Sequence, residues 1–344
     1  MMQPKRQTSD LPKTSAPAQR ALDSAGITTL EQLSTFKQNE IAKFHGMGPK
    51  AIGILREALA AKGLAFADEP VVKAAKGDYA KVNGLTLYYE IHGAASKEHQ
   101  PLVLLHGGLG LIEMLSEVLI TLSKDRQVIG VDLQGHGRTA DSERPLRYEF
   151  MADDIAVLLH HLGITHADVM GYSLGAGAAL RTAIQYPDLV RKLVVVSAPC
   201  KRTGWYPEVL VGMAQLSGAA AEFMKESSMY QSYRRVAPKP ENFPLLLDKV
   251  GDLLRQPYDW SSEVAELKMP VMLVFADADS VPPSHSAEFF GLLGGGQRDA
   301  DWDGSGITQH RLAILPGLTH YNVFASPLVS TIVVPFLDAS LPRK

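Results

Sequence analysis

The residues best suited to covalent chemistry lie in Gly171-Tyr172-Ser173-Leu174-Gly175, a G-x-S-x-G pattern. An apolar stretch with Ala167, Val169 and Met170 leads in, and an Ala-rich segment leads out. That context predicts a strand, a sharp turn and a helix, with the Ser173 hydroxyl exposed at the head of the helix. Glycines two before and two after Ser173 suit a turn in which neighbouring backbone comes within contact distance. The N–H of Leu174 would then point at a developing oxyanion. The same five-residue pattern also arises by chance in a chain with 29 glycines, so its weight comes from its flanks and from the partners below.

A serine hydroxyl is a poor nucleophile until a base takes its proton, and the base needs a carboxylate to orient it. The chain order serine, acid, histidine is one of those in use. The stretch 274–282 follows an apolar run and offers two carboxylates, Asp277 and Asp279. His320 follows the last apolar run, at the end of Leu315-Pro316-Gly317-Leu318-Thr319-His320. Both stretches fall at the carboxyl ends of expected strands, where open α/β sheets keep their sites. A buried structural histidine is the plain alternative for His320, but it would explain neither its place nor its spacing. No His, Cys and carboxylate cluster has metal-ligand spacing, and there is no P-loop or dinucleotide glycine fingerprint. Neither a metal nor a cofactor is expected.

The elements that would position these residues alternate. Residues 79–92 read as a hairpin about Asn83-Gly84. Short apolar runs at 101–105, 127–131, 192–197, 271–275 and 312–315, with the run before Ser173, read as strands buried on both faces. Helices are expected at 111–122, 149–162, 174–185, 284–293 and 327–337. On the helix 149–162, Asp153, Asp154, His160 and His161 are expected in solvated or capping roles. Strand and helix in alternation predict a mostly parallel sheet covered on both faces. Residues 200–266 break that rhythm with scattered helical pieces rich in aromatics and Met, Trp205, Met213, Phe223, Tyr258 and Trp260 among them. They read as a cap over a pocket, or as a helical subdomain packed for stability alone.

From about Gly77 to its end the chain resembles the α/β-hydrolase superfamily, on Ser173, Asp279 and His320 and on the loop His106-Gly107-Gly108. The resemblance implies an α/β-hydrolase fold: a mostly parallel sheet, helices on both faces and a helical cap. It implies Ser173 as nucleophile, His320 as base and Asp279 as acid, because Asp279 with Pro283 fits the family's register. Asp277 then becomes a loop-structuring carboxylate. The H-G-G loop implies the N–H of Gly108 as an oxyanion donor paired with that of Leu174, with Gly107 and Tyr172 bordering the substrate. His106 would hold the loop, and Asp132 with Gly135-His136-Gly137-Arg138 would shape the scaffold. The implied activity is hydrolysis of an ester or similar small, fairly hydrophobic acyl compound through an acyl-enzyme. Lactone opening, carbon–carbon bond hydrolysis and perhydrolysis use the same three residues. Haloalkane and epoxide hydrolysis are disfavoured, since those relatives use Asp as nucleophile.

Ahead of this domain the chain has another character. Residues 1–76 carry a net charge of +4 and the remainder −7. Residues 1–10 read as a disordered leader, 11–63 as compact helices and 64–76, with Pro70, as a linker. Within the helices, Ile41, Phe44, Gly46, Met47, Gly48 and Ala51 resemble the helix-hairpin-helix motif. Free N–H groups at such a hairpin can take a phosphate, with Lys50 close by. DNA contact and contact with a protein are both open for this module, and so is a regulatory, ligand-sensing role for the whole chain. An apolar content of 46% and a charged content of 21% are ordinary for a globular protein. Cys200 is the one cysteine, so no internal disulfide forms. The polar start lacks the apolar core of a secretory signal, and no apolar run is long enough to span a bilayer. These features predict a cytoplasmic protein with a small-molecule substrate and no membrane contact.

Overall fold

The computed structural model describes residues 10–62, 64–68 and 76–341. The chain divides into two compact units, with the boundary between Lys76 and Gly77.

The first unit holds helices Ala16–Ser24, Leu30–Leu33, Gln38–Ile41 and Pro49–Ala61. Thr29 and Gln32 close a reciprocal capping box that starts the second helix. Leu22, Leu33, Ile41, Leu55 and Leu59 are fully buried between the helices. Gly46 has φ +79°, and a Cβ there would stand 2.4 Å from that of Pro17, so the hairpin turn accepts no side chain.

Two expected boundaries are corrected at the ends of this unit. Asp10, expected in the leader, accepts the N–H of Leu30 at 3.0 Å and pairs with Lys62. Phe66, expected in the linker, is 1% exposed in the helical core. The N–H of Ala67 donates to the carbonyl of Phe36, and Asp68 accepts from Gln38. An aromatic side chain within reach of an apolar cluster gains more by burial than by solvation, whatever its local sequence suggests. Residues 1–9 of the expected leader and 69–75 of the expected linker lie outside the described residues.

The second unit is built on a sheet of strands β1 (Lys76–Val82), β2 (Leu85–His92), β3 (Leu102–Leu105), β4 (Val128–Val131), β5 (Ala167–Tyr172), β6 (Val190–Val196), β7 (Val271–Ala278) and β8 (Arg311–Thr319). Their order is β1-β2-β4-β3-β5-β6-β7-β8. β2 runs antiparallel to β4, and every pairing from β4 to β8 is parallel. β1 and β2 form a hairpin whose turn, Asn83-Gly84, has positive φ at both residues. Alternation along the central strands feeds two separate cores. Val103, Leu105 and Val169 pack on one face, Leu102, Leu104 and Met170 on the other.

Three further expectations are corrected here. β8 is not a buried strand. It is the sheet's outer strand, so one edge lacks a partner strand, and Ile314 is 42% exposed. The helix expected at 111–122 is a 3₁₀ turn, Ile112–Leu115, followed by the helix Ser116–Leu122. Asp154 is neither solvated nor a cap. It is buried in the helix Tyr148–His161, where it accepts from Asn83 Nδ2 at 3.0 Å and pairs with Arg144.

Between β6 and β7 the chain forms helices Pro207–Gln215, Ser228–Val236, Phe243–Arg255 and Ser261–Ala265. Phe243, Leu246, Val250 and Leu253 join the same core as one face of the sheet, which anchors this layer above the strand ends.

Candidate active site

β5 ends at Tyr172, the helix Leu174–Gln185 begins at Leu174, and Ser173 alone makes the turn. Ser173 has φ 52° and ψ −118°, a conformation that costs a non-glycine residue about 1–3 kcal/mol. Its surroundings impose it. A Cβ at Gly171 would lie 2.1 Å from the Gly175 carbonyl oxygen, and one at Gly175 would lie 2.3 Å from that of His106. Strand and helix therefore meet closely enough to lift the Ser173 hydroxyl out of the turn. The Ser173 N–H donates to Val196 at 2.9 Å, and its carbonyl accepts from Ala176 and Gly177 at 2.9 and 3.0 Å.

His320 follows β8 and reaches back across the sheet. Its Nε2 lies 3.0 Å from Ser173 Oγ and its Nδ1 lies 2.9 Å from Asp279 Oδ1. An ionised carboxylate only accepts, so Nδ1 carries the proton and Nε2 is left to receive that of Ser173. The Tyr172 hydroxyl donates to the His320 carbonyl at 2.6 Å. The Trp205 ring stands edge-on to the imidazole, with centroids 5.6 Å apart. These contacts leave the imidazole little freedom to turn.

The Asp279 side chain has no solvent exposure. Its Oδ1 also accepts the N–H of Ser280 at 2.7 Å, and Oδ2 accepts the Ser197 hydroxyl and the N–H of Ala276. Burial pushes this carboxyl up, but the bonds from His320, Ser197 and Ala276 outweigh it and hold the group below the usual carboxylate range. Ser197 is fully buried at φ 55°, just past the end of β6. Nothing in its local sequence marks it, since it becomes a partner only because β6 and β7 are neighbours. Asp277, the other carboxylate of the stretch, is exposed and accepts the N–H of Gly317 at 3.0 Å.

Gly108 packs beside Leu174, since a Cβ on Gly108 would touch Leu174 Cδ1 at 3.4 Å. Among the described residues, no protein acceptor takes the N–H of either one. His106 accepts the N–H of Leu133 on Nε2 at 3.1 Å and donates from Nδ1 to the Gly107 carbonyl at 2.7 Å. Burial, with His136 beside it, pushes this imidazole down to about 3, so it is neutral and holds the loop. Asp132 has the same scaffold character. It accepts the N–H groups of Ile112 and Arg138 at 2.9 and 2.8 Å, and burial pushes it up to about 7.

A cavity of about 310 Å³ opens on Ser173, Gly108, Leu174 and His320, with Tyr148, Met229 and Val250 among its apolar walls. Tyr172 borders it. Gly107 is not among its walls. A Cβ on Gly107 would strike the Tyr172 ring at 2.7 Å, and its carbonyl is taken by His106 and Gly110, so it serves the loop. A second space of about 570 Å³ adjoins the first across Trp205 and His320. Among the described residues no group of three or more His, Cys, Asp or Glu side chains is placed to hold a metal. None of the helices described is long and apolar enough to cross a membrane.

Comparison with known proteins agrees with this architecture. Residues 100–236 match the model of the alpha/beta hydrolase fold family. A protein provisionally named an esterase/lipase, from Haemophilus influenzae, is 27% identical over 139 residues, 40% of this chain and 48% of that relative. The chain thus aligns with about half the length of that relative. A protein provisionally named carbamate hydrolase RutD, from Azorhizobium caulinodans, is 26% identical over 65% of this chain and 89% of its own. The crystal structure of E-2-(acetamidomethylene)succinate hydrolase superposes with a TM-score of 0.59 at 21% identity, covering 77% of this chain and all of that one.

Proposed function

Because the chain belongs to the α/β-hydrolase superfamily, we propose that it is a serine hydrolase acting on an ester or comparable small acyl compound through an acyl-enzyme. The observation that carries this reading is the unbroken chain from Ser173 Oγ through His320 to Asp279, at 3.0 and 2.9 Å, beside two unengaged backbone N–H groups.

The chemistry follows from the positions. His320 Nε2 takes the proton of Ser173 as Oγ bonds to the acyl carbon. The N–H groups of Gly108 and Leu174 stabilise the negative oxygen of the tetrahedral intermediate. Asp279 stays ionised and favours the imidazolium that forms. The bond to the leaving group then breaks, and the proton passes from Nε2 to the departing atom. Water, deprotonated by the same imidazole, adds to the acyl carbon and releases the acid with free Ser173. The apolar walls of the cavity favour a hydrophobic acyl group. The relative named as an esterase/lipase and the one named as a carbamate hydrolase both support acyl chemistry of this kind.

Labelling with a fluorophosphonate tests the reading. The protein should be labelled at Ser173 and should turn over p-nitrophenyl butyrate, and Ser173→Ala should abolish both. Labelling that persists in the variant would place the nucleophile elsewhere. Absence of both labelling and turnover in the native protein would leave the ligand-sensing alternative. We place the protein in the cytoplasm on its single cysteine, Cys200. The helical unit supplies none of the residues above, and we read it as a contact module for a protein partner. Binding of duplex DNA, weakening steeply with salt, is the outcome that would replace that reading.

A further inference from the structure

The two adjoining spaces are lobes of one cleft, sharing Trp205, Met213, Leu216, Leu254, His320 and Tyr321. Their chemistry differs. Ser173, Gly108 and Leu174 border only the lobe of about 310 Å³. An acyl carbon bonded to Ser173, with its oxygen on the two N–H groups, must put its acyl chain there. The leaving group takes its proton from His320 Nε2, so it lies on the His320 side of the bond that breaks. The lobe of about 570 Å³ borders His320 and lacks the nucleophile and both donors.

That larger lobe carries one carboxylate. Glu208 borders it from the helix Pro207–Gln215, and among the described residues neither Lys nor Arg borders either lobe. Among the described residues Glu208 has no ion-pair or hydrogen-bonding partner for its side chain. The guanidinium groups of Arg202 and Arg255 donate to backbone carbonyls, those of Leu254 and of Ala214 and Leu216. Trp205 and Tyr321 supply aromatic rings to the same lobe. An exposed, unpaired carboxylate beside two aromatic rings, at a hollow whose other walls are apolar apart from Ser280 and His320, suits an organic ammonium ion, which is attracted by aromatic rings as well as by the charge. From this juxtaposition we infer that the protein selects esters whose leaving alcohol carries an ammonium group, with Glu208 as the residue that sets the preference. The inference rests on the serine hydrolase reading. The reaction is unchanged by it: the ester C–O bond breaks, the amino alcohol leaves with the proton from Nε2, and water releases the acid from Ser173.

The test uses the full chain and two esters of one acid, butyrylcholine and 3,3-dimethylbutyl butyrate, which match in shape and differ in charge. The ratio of their kcat/KM values should favour the cationic ester about tenfold at low salt and shrink as salt rises, because Glu208 is exposed. Glu208→Gln should bring the ratio close to one, and Glu208→Asp should keep part of it. The ratio is independent of how much of a variant folds, so the place of Glu208 in the first turn of its helix does not confuse the result. Equal kcat/KM values for the two esters in the native protein, or a preference that survives Glu208→Gln, would overturn the inference alone. Turnover of neither ester, nor of p-nitrophenyl butyrate, would overturn it together with the serine hydrolase reading.

Discussion

Ser197 allows a worked prediction, because it combines a strained backbone with a bond to the buried Asp279 carboxylate. Ser197→Ala leaves Oδ2 with one donor, the N–H of Ala276. A hydrogen bond to a buried charge is worth about 1.5–3 kcal/mol, and the Asp279 side chain has no exposure through which water could replace it. The native protein should therefore be more stable than Ser197→Ala by about 2 kcal/mol at neutral pH. The sign with pH follows from the depressed Asp279 carboxyl. Its contribution is complete above the ordinary carboxylate pKa and is lost as pH falls through the lower folded value. Removing the Ser197 bond raises that folded value, so the gap between native protein and variant should be widest above about pH 5 and narrow in more acid solution.

Ser197→Gly separates strain from bonding. It loses the same hydrogen bond but relieves the positive φ, and should recover about 1 kcal/mol relative to Ser197→Ala. Both variants should lower kcat for p-nitrophenyl butyrate by about tenfold, since the carboxylate that orients His320 is less firmly held. Urea unfolding at neutral and acid pH, with kcat measured on the same samples, checks these outcomes. If Ser197→Ala matched the native protein in stability and rate, or if the gap widened toward acid pH, the reasoning would be refuted.

Asp279→Asn should cost about 10⁴-fold in kcat, the scale of a lost triad carboxylate, whereas Asp277→Asn, which can still accept from Gly317, should cost little; ester turnover by both variants decides it. A shortened chain beginning at Lys76 should fold and keep most of its kcat, because β1 starts there and the proposed catalytic residues lie beyond it; circular dichroism and p-nitrophenyl butyrate kinetics measure this, and loss of catalysis would show that the helical unit completes the site.

What the sequence determined by itself was local and steric. The Asn83-Gly84 turn, the Thr29–Gln32 capping box and the strand–turn–helix about Ser173 each depend on a few adjacent residues, whose backbone preferences are readable without knowing what surrounds them. The continuous apolar runs of β3 and β4 likewise announce strands covered on both faces. Strand order decided the rest. A run of apolar residues does not say whether it will have one neighbour or two, and so β8 reads like the central strands although it lies at the edge. Asp154 reads as a surface residue because its partners, Asn83 and Arg144, come from other elements. Phe66 looks like part of a linker because the helical core that buries it is assembled from residues far behind it in the chain. The hydroxyl of Ser197 and the carboxylate of Asp279 are 82 residues apart, and they meet because β6 and β7 are paired in parallel with their carboxyl ends together. The short-range pattern of either segment carries no trace of the other, so that bond exists only once the sheet has formed.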